Sequence, residues 1–142
     1  QIFVDALEIS ILFEEFLREK DEVKKITLGE HIVSLYRGSL LPDFYYQWVE
    51  DLRVSLEERY LTVLRYLATK YAEKGEYEKS NLYCRKYLEI DKLDEDIHRL
   101  LITNYLHSGK KAKAYKQFEK LKNILYEELK IEPSLETRNL FK

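Results

Sequence analysis

The sequence predicts an all-α fold built from antiparallel helix hairpins. Three observations carry that reading. Gly 4 and Pro 2 in 142 residues leave too little punctuation for a β-sandwich or barrel, which needs a turn about every ten residues. Apolar residues recur at steps of three and four along most of the chain, the period of an amphipathic helix. The pattern then repeats itself at a fixed interval. Hydrophobic residues at 45% and charged ones at 35% supply a core and exclude a compositionally disordered chain.

The elements follow in order. A first helix is expected from about Asp5 to Lys20, carrying Leu7, Ile11 and Leu17. A second is expected from about Leu28 to Tyr36, capped by Thr27, with Glu30 three residues later completing a capping box. Arg37-Gly38-Ser39-Leu40-Leu41-Pro42-Asp43 breaks the period, because Gly ends helices and Pro biases the residue before it away from helix. Val49, Leu52, Leu56, Tyr60, Val63, Leu67 and Tyr71 then recur at steps of 3, 4, 4, 3, 4 and 4, one continuous stripe that should end at Gly75. Tyr77, Ser80, Cys84 and Tyr87 mark the next helix and Asp94–His107 the one after. Ala114, Phe118, Leu121, Leu125 and Leu129 mark another. Pro133-Ser134 opens a short last helix that ends in Leu140-Phe141.

Displacing the chain by 34 residues superposes Arg65 on Arg99, Leu67 on Leu101, Thr69 on Thr103, Tyr71 on Tyr105 and Gly75 on Gly109. A period of 34 with Gly between two amphipathic helices is tetratricopeptide arithmetic. Neither helix pair can bury its apolar face alone, so neighbouring pairs cover each other. The expected architecture is a tetratricopeptide-like right-handed stack of antiparallel hairpins in one domain, 1–142, with its clearest repeats at about 61–92 and 95–126. Ala68, Ser80 and Ala114 stand at the close-packing positions, while Ile102 replaces the small residue of the second repeat and Lys92 stands where Pro often ends the first.

Separated motifs then fall into a recognisable order. They are Val4-Asp5-Ala6-Leu7, Leu35-Tyr36-Arg37-Gly38-Ser39-Leu40-Leu41-Pro42, Trp48-Val49-Glu50 with Arg53 and Leu56, and Gly75-Glu76-Tyr77-Glu78. His98-Arg99-Leu100-Leu101, Gly109, and Glu128-Leu129-Lys130-Ile131-Glu132-Pro133-Ser134 with Glu136-Thr137-Arg138 complete the set. The chain resembles the bacterial transcriptional activator domain, the helical module of SARP-type activators, over nearly its whole length. The resemblance implies a regulatory module that follows a winged-helix DNA-binding domain. It would pack against that domain, contact other proteins, or support pairing with a second copy, touching DNA only indirectly. It also implies a cytoplasmic location. Lys130 stands where the family usually has Gly, so the end of that helix is expected to be built differently. The lack of Met, even at position 1, is expected of a piece cut from a longer protein.

Several residues are candidates for contact. Arg65 and Thr69, and Arg99 and Thr103, lie at i and i+4 on the first helix of each repeat, the face that lines the groove of such stacks. Two guanidinium groups could there hold an acidic segment by bidentate hydrogen bonds, or each could pair with an acidic neighbour in its own stack. Lys110, Lys111, Lys113, Lys116, Lys120 and Lys122, opposed only by Glu119, form a basic helix. A solvated outer face is the favoured reading of these lysines over contact with phosphates or an acidic partner. Trp48 is expected in the core, whereas Phe44 and Tyr45, beside Leu41 and Tyr46, are left open as interdomain docking residues. Glu14, Glu15, Glu19, Asp21 and Glu22 could complement a basic neighbour, with a plain solubilising surface slightly favoured.

Charge is unevenly spread. Residues 1–58 carry 6 Lys/Arg against 13 Asp/Glu, and residues 59–142 carry 18 against 13, so −7 and +5 sum to the net −2. That is not the uniform positive excess of a stand-alone DNA binder. Catalysis finds no support. His31, His98 and His107 lack metal-ligand spacing, the four Gly residues lie singly rather than in a phosphate loop, and one Cys cannot form a zinc cluster. Asp91, Asp94 and Asp96 imitate part of a calcium loop without its Gly and terminal Glu. No cofactor and no metal are expected, Cys84 is expected to be inert packing, and His98 to be bonded across helices. No apolar run reaches the roughly 18 residues of a membrane span. The rival reading is a generic peptide-binding repeat scaffold unrelated to transcription.

Overall fold

The computed structural model describes residues 2–36 and 47–142. Among them are seven α-helices, α1 (Ile2–Arg18), α2 (Glu22–Leu35), α3 (Gln47–Glu73), α4 (Tyr77–Ile90), α5 (Glu95–His107), α6 (Lys111–Leu129) and α7 (Leu135–Arg138), and a closing 3₁₀ turn, Asn139–Phe141. No strand occurs among the described residues. The all-α hairpin architecture expected from the period is present. The chain divides into two compact units, Gln1–Leu67 and Ala68–Lys142, with the division inside α3.

In the first unit, α1 and α2 form an antiparallel hairpin. Ala6, Ile9, Phe13 and Phe16 of α1, Ile26 and Ile32 of α2, and Leu56, Tyr60, Val63, Leu64 and Leu67 of α3 make its core. Gly29 lets α2 approach its neighbours closely. A Cβ there would lie 3.2 Å from Leu67 Cδ2 and 3.3 Å from both Phe16 Cε1 and Val63 Cγ1. The ring of Tyr36 stacks on that of Tyr60 at 3.8 Å, and Phe16 meets Tyr66 edge-on at 5.2 Å.

The second helix begins earlier than Thr27 suggests. Asp21 is its N-cap, accepting from the Lys24 N–H at 3.0 Å, so the helix gains a full turn before Leu28. Thr27 lies inside it and donates to the carbonyl of Val23 at 3.0 Å, a bond that satisfies its hydroxyl without breaking the helix. Trp48 is likewise not in the core. It is 59% exposed, because it stands eight residues before the buried Leu56 and so about 80° round α3. The pattern break at Arg37–Asp43 and the residues Leu41, Phe44, Tyr45 and Tyr46 lie outside the described residues.

In the second unit the 34-residue repeat is visible bond by bond. Gly75 (φ +77°) donates to Ala72 O and Glu76 N–H to Tyr71 O; Gly109 (φ +73°) donates to Leu106 O and Lys110 N–H to Tyr105 O. Each is a Schellman turn whose left-handed residue is Gly. The two glycines therefore sit at the bends of neighbouring hairpins, α3–α4 and α5–α6. The next helix starts the same way in both, with Ser80 N–H on Glu76 O and Ala114 N–H on Lys110 O. Both small residues are fully buried, as are Ala68 and the bulkier Ile102.

The end of α6 corrects one expectation. Lys130 itself adopts the left-handed conformation (φ 57°, ψ 36°), and its N–H bonds Tyr126 O at 3.0 Å. The turn is thus left-handed although its residue is not Gly, at a steric cost of about 1–2 kcal/mol for an L side chain. Part of that cost is offset by the ammonium lying 5.0 Å over the Tyr126 ring. Lys130→Gly should raise the stability of the chain by about 0.5–1 kcal/mol, read as an upward shift of the urea midpoint. A fall would show that the ring contact outweighs the strain.

Candidate protein-contact site

The candidate surface rests on α4, α5 and α6, and buried polar side chains fix the register of α4 against α5. Ser80 Oγ donates to Ala68 O at 2.7 Å, and Asn104 Nδ2 donates to Ser80 Oγ at 2.8 Å and Asn81 Oδ1 at 2.9 Å. Ser80, Asn81 and Asn104 are at most 1% exposed. Nothing in the period alone marks this network, although Asn on an otherwise apolar face is the available signal. The network allows one register of α4 against α5, since a slip would bury polar groups without partners. Among the described residues no buried side-chain N or O atom lacks a hydrogen-bond partner.

His98 ties α5 to the start of its hairpin and to α6. Its Nε2 lies 2.8 Å from Lys92 O and its Nδ1 lies 2.9 Å from Gln117 Nε2. A carbonyl can only accept, so Nε2 carries the proton and Nδ1 accepts from the Gln117 amide. Burial pushes the pKa of His98 down, against the upward pull of the Lys92 carbonyl and with Lys120 adding to the fall. The folded state therefore binds this proton less readily than the unfolded chain. Stability from this group is complete above the ordinary histidine value of 6.5 and is lost as pH falls through and below it. The urea midpoint should drop between about pH 7.5 and pH 5.5, and His98→Gln should flatten that slope. An unchanged slope in the variant would assign the dependence to other groups.

The C-terminal turn is clasped onto α5. Glu95 Oε2 accepts from Ser134 N–H at 2.9 Å, from Ser134 Oγ at 2.6 Å and from the Thr137 hydroxyl. Burial opposes the Glu95 charge, but the Ser134 and Thr137 bonds outweigh it and hold the carboxyl below its usual value. Arg99 Nε donates to Thr137 Oγ1 at 3.1 Å and its Nη1 to Asp96 at 3.0 Å, with Glu136 at 3.6 Å and Glu95 at 3.8 Å. Thus Arg99 is engaged by acidic and hydroxyl groups of its own unit, the neighbour pairing that its sequence left open. Thr69 and Thr103 of the second unit, and Arg65 of the first, are partly buried.

The lysines of α6 separate into two groups. Lys110 pairs with Glu78 at 2.8 Å, and Lys111 lies over the Tyr115 ring at 6.0 Å. Lys113, Lys116, Lys120 and Lys122 are exposed, with no carboxylate within ion-pair distance among the described residues. Lys113, Lys116 and Lys120 share a face with Gln117 by their spacing. In the first unit, Glu19 accepts from the Asp21 N–H and Asp21 caps α2, so part of the acidic cluster has a local structural use.

The remaining candidates have structural placements. Asp94 caps α5 and accepts from the Tyr87 hydroxyl at 2.6 Å, Asp91 accepts from the Leu93 N–H, and Asp96 serves Arg99. Cys84 is fully buried, and burial pushes its thiol up to about 12, which leaves it inert at neutral pH. His107 packs beside Tyr77 at 5.6 Å, and His31 is exposed. Among the described residues no three His, Cys, Asp or Glu side chains gather to hold a metal ion, and no helix is long and apolar enough to cross a membrane.

Fold and surface together define a helical-hairpin domain that presents cations from a rigidly registered scaffold. The chain belongs to the bacterial transcriptional activator domain family, whose model matches residues 14–142. No curated protein and no solved structure matches the chain.

Proposed function

We propose that this chain is the non-catalytic regulatory and protein-contact module of a bacterial transcriptional activator. In this reading it works in the cytoplasm beside a separate DNA-binding domain and makes contacts with that domain, with other proteins or with a second copy. The match of the family model over residues 14–142 carries the reading. It is supported by the unpaired lysines of α6 and by the polar network that holds α4 and α5 in one register, since a contact surface must be preorganised. The mechanism is differential contact: a partner that prefers one arrangement of the activator shifts its population toward that state. Contacts through Arg99 and Thr103 of α5 would compete with the C-terminal turn for the same guanidinium.

Deleting this module from the activator should abolish promoter activation or its control while DNA binding by the remaining domain persists. The chain alone should give no sequence-specific gel shift at moderate salt. Regulation that survives the deletion, or a specific shift by the isolated chain, would overturn the assignment.

A further inference from the structure

Glu78 pairs with Lys110 at 2.8 Å and Lys92 with Glu128 at 3.0 Å, so the starts and the ends of α4 and α6 are each brought together and the helices run in the same direction. Between these two ion pairs lies a cleft of about 360 Å³, lined by Arg85, Leu88, Glu89, Leu101, Gln117 and Lys120. Leu101 is 2% exposed and forms the apolar floor with Leu88. Arg85 is held at the rim by a 3.0 Å bond from its Nη2 to the hydroxyl of Tyr105 on α5. Gln117 is held by His98. Neither Arg85 nor Lys120 has a carboxylate within ion-pair distance among the described residues.

The chemistry of these walls selects an occupant. Two unpaired cations above an aliphatic floor complement carboxylates that flank an aliphatic side chain. Glu89 in the wall disfavours a continuous polyanion, and none of the lining residues is aromatic, so the cleft offers nucleic-acid bases no stacking platform. We propose that the α4–α6 cleft docks an acidic, leucine-bearing segment of a partner protein. The leucine lies on Leu88 and Leu101, and the neighbouring carboxylates meet Arg85 and Lys120. This deepens the protein-contact reading above and rests on it.

The test uses the full chain and a fluorescently labelled peptide of alternating glutamate and leucine, followed by anisotropy. Binding should saturate, weaken with added salt, and fall about tenfold in Arg85→Glu and in Lys120→Glu. Lys122→Glu, on the far side of α6 from Lys113, should bind as the parent does. Replacing the peptide leucines by alanine should cost a similar factor. All the substituted positions are exposed, and far-UV circular dichroism checks that each variant is folded. Unaltered affinity in both cleft variants, equal binding by polyglutamate, or preferential binding of duplex DNA would overturn the proposal. If the peptide fails to bind while deletion of the module still abolishes promoter control, the cleft falls and the regulatory reading stands. If the cleft binds as expected but the deletion changes nothing, the reverse holds.

Discussion

Replacing Asn104 by alanine is expected to lower the stability of the chain by about 2–4 kcal/mol. The Ser80 hydroxyl has one hydrogen, and it is committed to the carbonyl of Ala68 at 2.7 Å. Its oxygen must therefore accept from the Asn104 amide, whose second hydrogen goes to Asn81 Oδ1 at 2.9 Å. With all three side chains at most 1% exposed, no bulk water can replace the lost donor. Alanine removes both bonds at once, strands the Asn81 oxygen and leaves a small void where the amide stood. Asn104→Asp keeps the shape but replaces two donors with acceptors and buries a charge, so it should destabilise at least as much at neutral pH. Urea denaturation followed by circular dichroism reads both variants. A loss below about 1 kcal/mol for the alanine variant would mean that the network is dispensable.

Gly29→Leu should be the other severe change, costing about 3 kcal/mol or more by overpacking. The site has room for hydrogen and little else. The first added carbon already meets Leu67 at 3.2 Å and Phe16 and Val63 at 3.3 Å, all of them in the core of the first unit. Gly29→Ala is the informative partner. Alanine gains about 0.5–1 kcal/mol of helix propensity over glycine, while the three contacting atoms are side-chain ends that need yield only slightly. The alanine variant should therefore stay within about 1 kcal/mol of the parent. The wide separation of the two variants, measured under the same conditions, is the expected signature of close helix approach. Equal and mild effects would show that α2 can shift away.

Particular residues show what could be read in the chain beforehand. The stripe from Leu56 to Tyr71 is buried as expected, and Gly75 and Gly109 occupy equivalent left-handed turns. Both follow from local rules: a period of 3.6 and a φ that only Gly adopts cheaply. The start of α2 was less legible because two plausible caps compete, and the acidic one lies earlier. Trp48 misleads because a large aromatic residue favours burial by type, whereas its position round α3 decides. Lys130 shows the reverse case, in which the end of α6 forms a left-handed turn without the residue that makes it cheap.

The proposed contact surface is less legible in the sequence than the fold. The lysines of α6 were visible as a charged face, but not which of them would find partners. Lys110 is claimed by Glu78, 32 residues away, and Lys120 is not. For Arg99 the sequence leaves a groove contact and a pairing within its own stack both open, and only the folded C-terminal turn shows that Thr137, 38 residues on, takes its guanidinium.

The helices and the bends are legible in the chain because they depend on residues within one or two turns of each other, and the 34-residue interval because the same pattern recurs along it. Tertiary structure alone decided the buried Ser80–Asn81–Asn104 network, the neutral tautomer of His98 and the cleft between α4 and α6. Those features depend on side chains brought together from separate helices, and hydrogen bonding and desolvation act only across distances that folding sets.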